Sequence, residues 1–273
     1  REEAPDLSPL YDDSTFSPDK TPAELVTPAG ESTTLRGSLG AALGHLNQKT
    51  SGAFIGAAAD LLGSTSINKL ATGFPEGFYN AIENPKARLI AVGGICEDSM
   101  GAFLSALAAD GRHIGAGSSY GAFIAALQHV AVRLHAIGQQ ARNNYDGSPY
   151  GTYILVCAHA GLKTGEDGPT HADPQCLQLL QENFPRGVAI TLTPWDPNEI
   201  WPCLVAGLQK RPAILAPFVT RPKEKILDRQ ALGIPDVSAA AKGIYAIRSA
   251  DPDRKPYHGT LVLQGSGVTN TFV

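Results

Sequence analysis

Short apolar runs alternate with stretches of helical periodicity over most of the chain. Continuous apolar runs are typical of strands buried on both faces, and the stretches between them carry apolar residues three or four positions apart. This alternation predicts an α/β fold in which an open parallel sheet carries helices on both faces. The predicted strands are residues 53–58, 88–92, 113–116, 153–158, 188–192 and 212–218, and the predicted helices are residues 35–46, 96–109, 120–139, 174–183 and 197–209.

Two of these helices carry expectations about individual side chains. Thr33 or Thr34 is expected to cap the first helix, because a threonine hydroxyl accepts hydrogen bonds from the free backbone N–H groups of a first turn. The helix at 120–139 is expected to bury one apolar side. That side consists of Phe123, Leu127, Val130, Leu134 and Ile137.

The two ends of the chain differ from its centre. Residues 1–30 are rich in proline and acidic residues, which predicts a linker from an upstream domain, and residues 31–222 hold the alternating pattern of one domain. Residues 223–258 are rich in proline and charge and predict a second linker, with a short helix at 237–241. Residues 261–267 are typical of a strand that runs into a glycine-rich turn, so residues 259–273 are expected to begin a further domain. The chain is therefore expected to be a fragment of a longer protein.

Composition narrows the class of protein. The 273 residues are 43% hydrophobic and 18% charged, values typical of a globular protein. A formal net charge of −4 argues against general nucleic-acid binding, and no run approaches the ~20 apolar residues that cross a membrane. The four cysteines form no C-x-x-C pair, and the first thirty residues do not resemble a secretory signal. A cytoplasmic protein is the expectation.

The residues just after each predicted strand are the candidates for a site, because ligands of open α/β sheets bind at the carboxyl ends of the strands. The long polar loop at 159–171 contains two histidines, two acidic residues and a Gly-Pro turn, and so has acid–base capacity. The alternative is an ordinary loop in which Asp167 and Thr170 cap a helix.

The string GEDGPTH at residues 165–171, preceded by His159, resembles the signature of the transketolase family. That family uses thiamine diphosphate to move a two-carbon ketol unit between sugars. Other segments resemble family motifs in the same order along roughly residues 30–222, at 54–64, 94–100, 193–199 and 218–221. The resemblance implies the family's middle domain, which receives the aminopyrimidine ring of the cofactor. The domain that holds the diphosphate and its Mg or Ca ion is expected to lie outside this chain, because no Gly-Asp-Gly segment with a following Asn occurs.

The resemblance implies that Glu97 is catalytic and binds the cofactor. A carboxyl hydrogen-bonded to the far nitrogen of the aminopyrimidine drives the imino form that removes the thiazolium proton. The alternative is a helix-terminal glutamate favoured by the helix dipole.

The resemblance also implies four further cofactor contacts. Tyr120 and Phe123 lie in residues 118–123, which resemble the family's Ser-Thr-Phe-x-x-Phe stretch, and are candidates to stack on the ring. Packing in the core is the alternative for both aromatic residues. Asp60 and Leu61 match family positions that touch the cofactor near its centre.

The substrate side is assigned in the same way. His171 is implied to be a catalytic proton shuttle, and Asp167 is implied to accept a hydrogen bond from a substrate hydroxyl. A phosphate clamp is implied as well, although a surface charge at Arg221 and a capping hydroxyl at Ser64 are the alternatives. The implied clamp consists of Ser64, His159, Arg221 and Arg36.

Three departures from the family pattern bear on specificity for sugar phosphates. Arg36 stands one position away from the arginine of the family's Thr-Arg-x-x-Ser segment, a shift that turns a helical side chain by about 100°. Cys96 replaces the arginine before the catalytic glutamate, and Asp98 follows the glutamate.

The leading hypothesis is a transketolase-type enzyme that acts as a homodimer on sugar phosphates, with this chain inactive alone. The alternatives are a relative with another donor, or a non-catalytic assembly or regulatory module.

Overall fold

Five parallel strands form the main sheet in a computed structural model that describes residues 4–161, 165–172, 176–181, 183–251, 253 and 259–273. In chain order the strands are β1 (Ser32–Thr34), β2 (Phe54–Ala58), β3 (Ile114–Tyr120), β4 (Tyr153–Ala158), β5 (Ala189–Leu192), β6 (Ile214–Val219) and β7 (Lys223–Lys225). The sheet order is β2–β3–β4–β6–β5, and β1 pairs with β7 in a separate antiparallel ribbon. The predicted open parallel sheet is confirmed.

The helices alternate with these strands. They are α1 (Leu35–Lys49), α2 (Leu62–Thr65), α3 (Glu97–Asp110), α4 (Ile124–Leu127), α5 (His135–Asp146), α6 (Cys176–Gln181), α7 (Ile200–Gln209) and α8 (Ser266–Phe272). Thr34 caps α1, because its hydroxyl accepts a hydrogen bond from the Gly37 N–H at 3.0 Å, as the sequence predicted. The short helix predicted near 237–241 is a 3₁₀ helix, Val237–Lys242.

Helices cover both faces of the sheet, as predicted. The chain crosses from β2 through β3 and β4 to β5 with α3, α4, α5 and α6 on one face. It then steps back from β5 to β6 through α7, which packs beside α1 on the other face. Right-handed crossovers require this change of face when the direction across the sheet reverses.

No single helix in the described part of the chain is long and apolar enough to cross a membrane. The pair Gly121–Leu127 and Ala131–Asp146 meets that criterion only when taken together, and a 56° bend separates the two helices.

Two predicted strands do not form. Residues 88–92 bridge β2 only at Leu89, because Gly56 alone exchanges backbone hydrogen bonds with Arg88 and Ile90. A strand needs a longer ladder of such bonds. In residues 261–267 the side chains of Leu261 and Val262 are both 68% exposed, and α8 begins at Ser266. The prediction of a strand there was wrong, since no neighbouring strand in the described residues offers it a ladder.

The prediction of one helix over 120–139 was wrong in its start and in most of its buried side. Leu127 is buried as predicted, Phe123, Leu134 and Ile137 are exposed, and the side chain of Val130 lies outside the described residues. β3 runs through Tyr120, and a π-helical stretch, Gln128–Leu134, joins α4 to α5. A π-helical turn inserts one residue into the helical repeat, so the residues after it point in a new direction. Leu134 and Ile137 are consequently 67% and 56% exposed, while Ala136 is buried.

The segments predicted as linkers pack against the domain. Leu10 and Phe16 are 1% and 7% exposed and belong to the core, and the indole N–H of Trp201 donates to the Ser17 carbonyl. Apolar side chains among the prolines explain this packing, since their burial removes apolar surface from water. The domain boundaries at residues 30, 222 and 258 stay predictions.

Candidate functional site

The carboxyl ends of four parallel strands bring the predicted site residues to one edge of the sheet. Asp60 follows β2, Tyr120 ends β3, His159 follows β4 and Arg221 follows β6. Loops at this edge run over the surface, so side chains placed there can meet a ligand. The arrangement is the one that the sequence predicted.

His159 lies at the centre of this edge. Its side chain is fully buried, and its ring stacks on Tyr120 with centroids 4.4 Å apart. Its backbone φ of 52° is unusual for a residue with a side chain. Burial lowers the pKa of His159, so the imidazole is neutral at pH 7.

Both ring nitrogens of His159 meet polar neighbours. Nδ1 contacts the Asp167 carboxylate, and Nε2 lies 2.9 Å from the Arg36 guanidinium and 3.1 Å from the Ser64 carbonyl oxygen. His159 therefore links Asp167 to Arg36 and Ser64 at this edge of the sheet.

Arg36 reaches the cluster despite its shifted position. It lies in the first turn of α1 and donates to the backbone carbonyl of Ser64, with the Ser64 hydroxyl 3.4 Å away. Burial and the neighbouring charge of Arg221 lower the pKa of Arg36. The structure thus brings together all four predicted clamp residues.

Arg221 holds the two carboxylates of the 165–171 loop. Its guanidinium donates to Asp167 and, at 2.6 Å, to Glu166. The side chain of Glu166 is 86% exposed and that of Asp167 is 13% exposed. In this arrangement Asp167 joins His159 to Arg221 instead of capping a helix.

An aromatic group stands beside His159. The Phe123 and His171 rings each lie close to Tyr120, with centroids 6.1 Å and 5.6 Å away, and to one another at 5.6 Å. Phe123 is 43% exposed, so packing in the core does not account for it, whereas Tyr120 is only 7% exposed. The His171 Nδ1 atom is 3.0 Å from the Thr170 hydroxyl.

Glu97 begins α3 and approaches the end of β3. The Ser119 hydroxyl donates to Glu97 Oε1 at 2.9 Å. Among the described residues, Glu97 Oε2 has no hydrogen-bond partner. Asp98, the second carboxylate, is exposed to solvent. Asp60 uses its Oδ1 to accept from the N–H of Leu61, whose side chain is 63% exposed.

Sequence reasoning missed Ser119 and a buried network around Arg229. Arg229 pairs with Asp196 at 3.1 Å and with Glu199 at 2.6 Å, and all three side chains are at most 9% exposed. Segment 193–199 resembles a family motif to which the sequence assigns no role, and Arg229 lies in a predicted linker. A pairing over about thirty positions has no local sequence signal.

No three His, Cys, Asp or Glu side chains come together as a possible metal site within the described ranges. The resemblance implies that the Mg or Ca ion binds to a domain outside this chain, so the presence of that ion stays a prediction.

Comparison with known proteins defines the class. The chain belongs to the transketolase pyrimidine-binding domain family, which it matches over residues 31–222. It is 29% identical over 214 residues to the transketolase of Aquifex aeolicus (strain VF5), covering 78% of this chain and 27% of that protein.

Solved transketolases share the fold. The enzyme from Leishmania mexicana matches with a TM-score of 0.68 and 22% identity over 86% of this chain and 31% of that one. The enzyme from Campylobacter jejuni matches with a TM-score of 0.57 and 22% identity over 78% and 30%. The chain therefore spans less than a third of the length of these relatives.

Proposed function

We propose that this chain supplies the pyrimidine-binding side of the active site of a thiamine-diphosphate-dependent transketolase. The reaction is transfer of a two-carbon ketol unit between sugar phosphates. The observation that carries the proposal is the carboxyl of Glu97, which Ser119 holds at the carboxyl end of β3, the strand after which the exposed ring of Phe123 follows. Membership of the transketolase family supports it.

The residues present fit an aminopyrimidine ring. Glu97 Oε2 is free for a ring nitrogen within the described structure, and the exposed Phe123 offers an aromatic face. When bound, the cofactor would supply a nucleophilic thiazolium carbon for the donor carbonyl and an electron sink for the C–C bond cleavage that follows. Glu97 shares a proton with the ring, and Phe123 packs against the ring and excludes water.

The substrate side follows from the positive groups of the site. Arg36 and Arg221 present guanidinium groups that suit a phosphate, and His159 lies against both Arg36 and the Asp167 carboxylate that Arg221 holds. Asp167 now pairs with Arg221, so a substrate phosphate exchanges places with this carboxylate on the guanidinium. His171, next to Tyr120 and Phe123, moves protons to and from substrate hydroxyls.

With this function we propose that the protein forms a homodimer and acts in the cytoplasm. A Mg or Ca ion is proposed to bind to the diphosphate-binding domain. Nucleic acid and membrane are not expected as partners. Phe103 on α3 is 49% exposed, and Leu134 and Ile137 before and on α5 are more exposed still, which suits an interface between two copies. Sedimentation should give a dimer, and a monomer at high concentration would contradict it.

The test uses the complete enzyme, meaning this chain together with a diphosphate-binding domain. With thiamine diphosphate, Mg²⁺ and a ketose phosphate, the complete enzyme should transfer the ketol unit, and the 273-residue chain alone should not. Cofactor binding without turnover would favour the assembly or regulatory module. The pairing of Arg221 with Asp167 supports that alternative, because it occupies a guanidinium that would otherwise hold a phosphate. No cofactor binding would contradict the proposal.

A pair of phenylalanine variants localises the cofactor. Phe123→Ala should weaken thiamine diphosphate binding roughly threefold to tenfold, the effect of losing one aromatic pair. Phe78→Ala is the matched control, because Phe78 is 46% exposed and lies outside the aromatic group. Equal affinities for the two variants would place the ring elsewhere.

A further inference from the structure

We propose that Ser119 is a positioning residue for Glu97. Its hydroxyl holds Oε1, so that Oε2 is the oxygen presented to the cofactor ring. The inference rests on the proposed function, because it deepens the role of the same carboxyl.

β3 places Ser119 on the face of the sheet that α3 covers. Side chains alternate between the two faces of a strand, so Gly115 and Ser119 lie on the same face of β3, the one that α3 covers. A Cβ atom at Gly115 would lie 2.0 Å from the Leu104 carbonyl oxygen, so glycine there allows α3 to approach closely. Ser119 is 3% exposed and meets Glu97, the first residue of α3.

Two adjacent serines separate this role from mere burial. Ser118 is fully buried on the other face of β3, and its hydroxyl has no partner among the described residues. The Ser119 hydroxyl donates to Glu97 at 2.9 Å. A hydroxyl that donates to a carboxylate forms a stronger bond than one between neutral groups, and it fixes the side chain that accepts it.

The consequence for Glu97 is a single orientation. Its backbone is fixed by α3, and the bond to Ser119 removes the remaining freedom of the carboxyl group. Preorganisation of this kind matters because a catalytic group must be held close to its productive geometry before the ligand arrives. Without the hydroxyl the carboxyl rotates freely, and Oε2 faces the ring only part of the time.

The first test needs no cofactor. The carboxyl carbon of Glu97, labelled with ¹³C in the 273-residue chain, should change its chemical shift in Ser119→Ala. The shift should be retained in Ser119→Thr, since threonine keeps the hydroxyl. Ser118→Ala should leave it unchanged. The same resonance in wild type and Ser119→Ala would overturn the proposal.

The second test uses the complete enzyme and hydrogen–deuterium exchange at the thiazolium carbon. Ser119→Ala should slow exchange about tenfold, the effect of losing one hydrogen bond to a charged group, while Ser119→Thr and Ser118→Ala keep the wild-type rate. Wild-type exchange in Ser119→Ala would overturn the role of the serine alone. No exchange in the wild type would overturn the proposed function, and with it this role, while the carboxyl resonance still reports whether the bond exists.

Discussion

Two arginines in this chain each hold two carboxylates, and their surroundings differ sharply. Arg229 pairs with Asp196 and Glu199, and the three side chains are 9%, 3% and 2% exposed. Arg221 is 24% exposed and pairs with the acidic residues of the 165–171 loop, one of which is almost wholly in solvent. The same chemistry is thus buried in the cluster of Arg229, Asp196 and Glu199, called the closed cluster, and exposed to solvent in the cluster of Arg221, Glu166 and Asp167, called the open cluster.

Two aromatic residues, Trp195 and Tyr245, contact the closed cluster. The Trp195 indole N–H donates to the Tyr245 hydroxyl at 2.5 Å, Tyr245 donates to Glu199, and the Arg229 guanidinium lies 4.8 Å from the Trp195 ring centroid. Burial opposes the charge of Arg229, but the neighbouring carboxylates raise its pKa above the ordinary value. This network fastens the segment after β7 to the corner between β5 and α7, and its role is structural.

The open cluster lies among the candidate substrate residues. Arg221 shares Asp167 with His159, so one loop carboxylate ties the ends of β4 and β6 together. Water reaches this pair, and a dianionic ligand can replace the loop carboxylates on the guanidinium. Burial, more than residue type, separates a structural ion pair from one that can bind a ligand.

The largest expected effect comes from breaking the closed cluster. Arg229→Met leaves two buried carboxylates without a cation, which should lower the free energy of unfolding by about 3–5 kcal/mol. Urea unfolding followed by circular dichroism measures the loss. A decrease below about 1 kcal/mol would show that the buried network does not fasten the segment.

Arg221→Met should have the opposite profile. Its effect on the free energy of unfolding should stay within about 1 kcal/mol, as for a partly exposed ion pair. In the complete enzyme the KM for a ketose phosphate should rise roughly tenfold to a hundredfold, because a hydrogen bond to a charged group is lost. A phosphate-free ketose serves as the control, since its KM should not change. Equal losses for both donors would remove Arg221 from the phosphate clamp.

A smaller effect is expected from pH. Burial lowers the pKa of His159, so below about pH 6.5 the unfolded chain takes up a proton that the folded chain does not. The stability contributed by the neutral ring is present above that pH and is lost as pH falls through the lowered pKa.

His159→Gln should therefore make the loss of stability with acid less steep, by at most about 1.4 kcal/mol per pH unit. Burial also lowers the pKa of His45, His113 and His135, and these residues supply the slope that remains. Unfolding curves at several pH values between 5 and 7.5 give both slopes. An unchanged slope in the variant would mean that His159 carries a proton in the folded chain.

Features with a local physical cause could be predicted from the sequence. The strand at 153–158 was placed correctly, because an unbroken apolar run in a parallel sheet is buried on both faces. The cap of α1 was predicted to be Thr33 or Thr34, because capping chemistry acts within one turn, and Thr34 is the residue that caps it. The stretches after the strands were predicted to gather at one edge of the sheet, and the structure places Asp60, His159 and Arg221 there. Their roles came from the resemblance to the family and stay predictions.

Features that depend on distant partners could not be predicted. The π-helical stretch before α5 leaves no mark in apolar periodicity, so the buried side of that helix was assigned wrongly. Leu89 lies in an apolar run, yet only the surrounding chain decides that it forms a bridge and no strand. Arg229 pairs with Glu199 through tertiary packing alone. The roles of Asp60 and Leu61 at the cofactor stay predictions, as do those of the other predicted site residues.

Hydrogen–deuterium exchange at the thiazolium carbon of thiamine diphosphate, measured in the complete enzyme, tests most directly whether Glu97 shares a proton with the cofactor ring. Glu97→Gln is nearly isosteric and should fold, but it cannot share a proton with the ring, so exchange should slow by ~10²–10⁴-fold or more. His171→Ala should keep the exchange and lose sugar turnover. Exchange at the wild-type rate in Glu97→Gln would contradict the account and direct attention to Asp60 or Asp98.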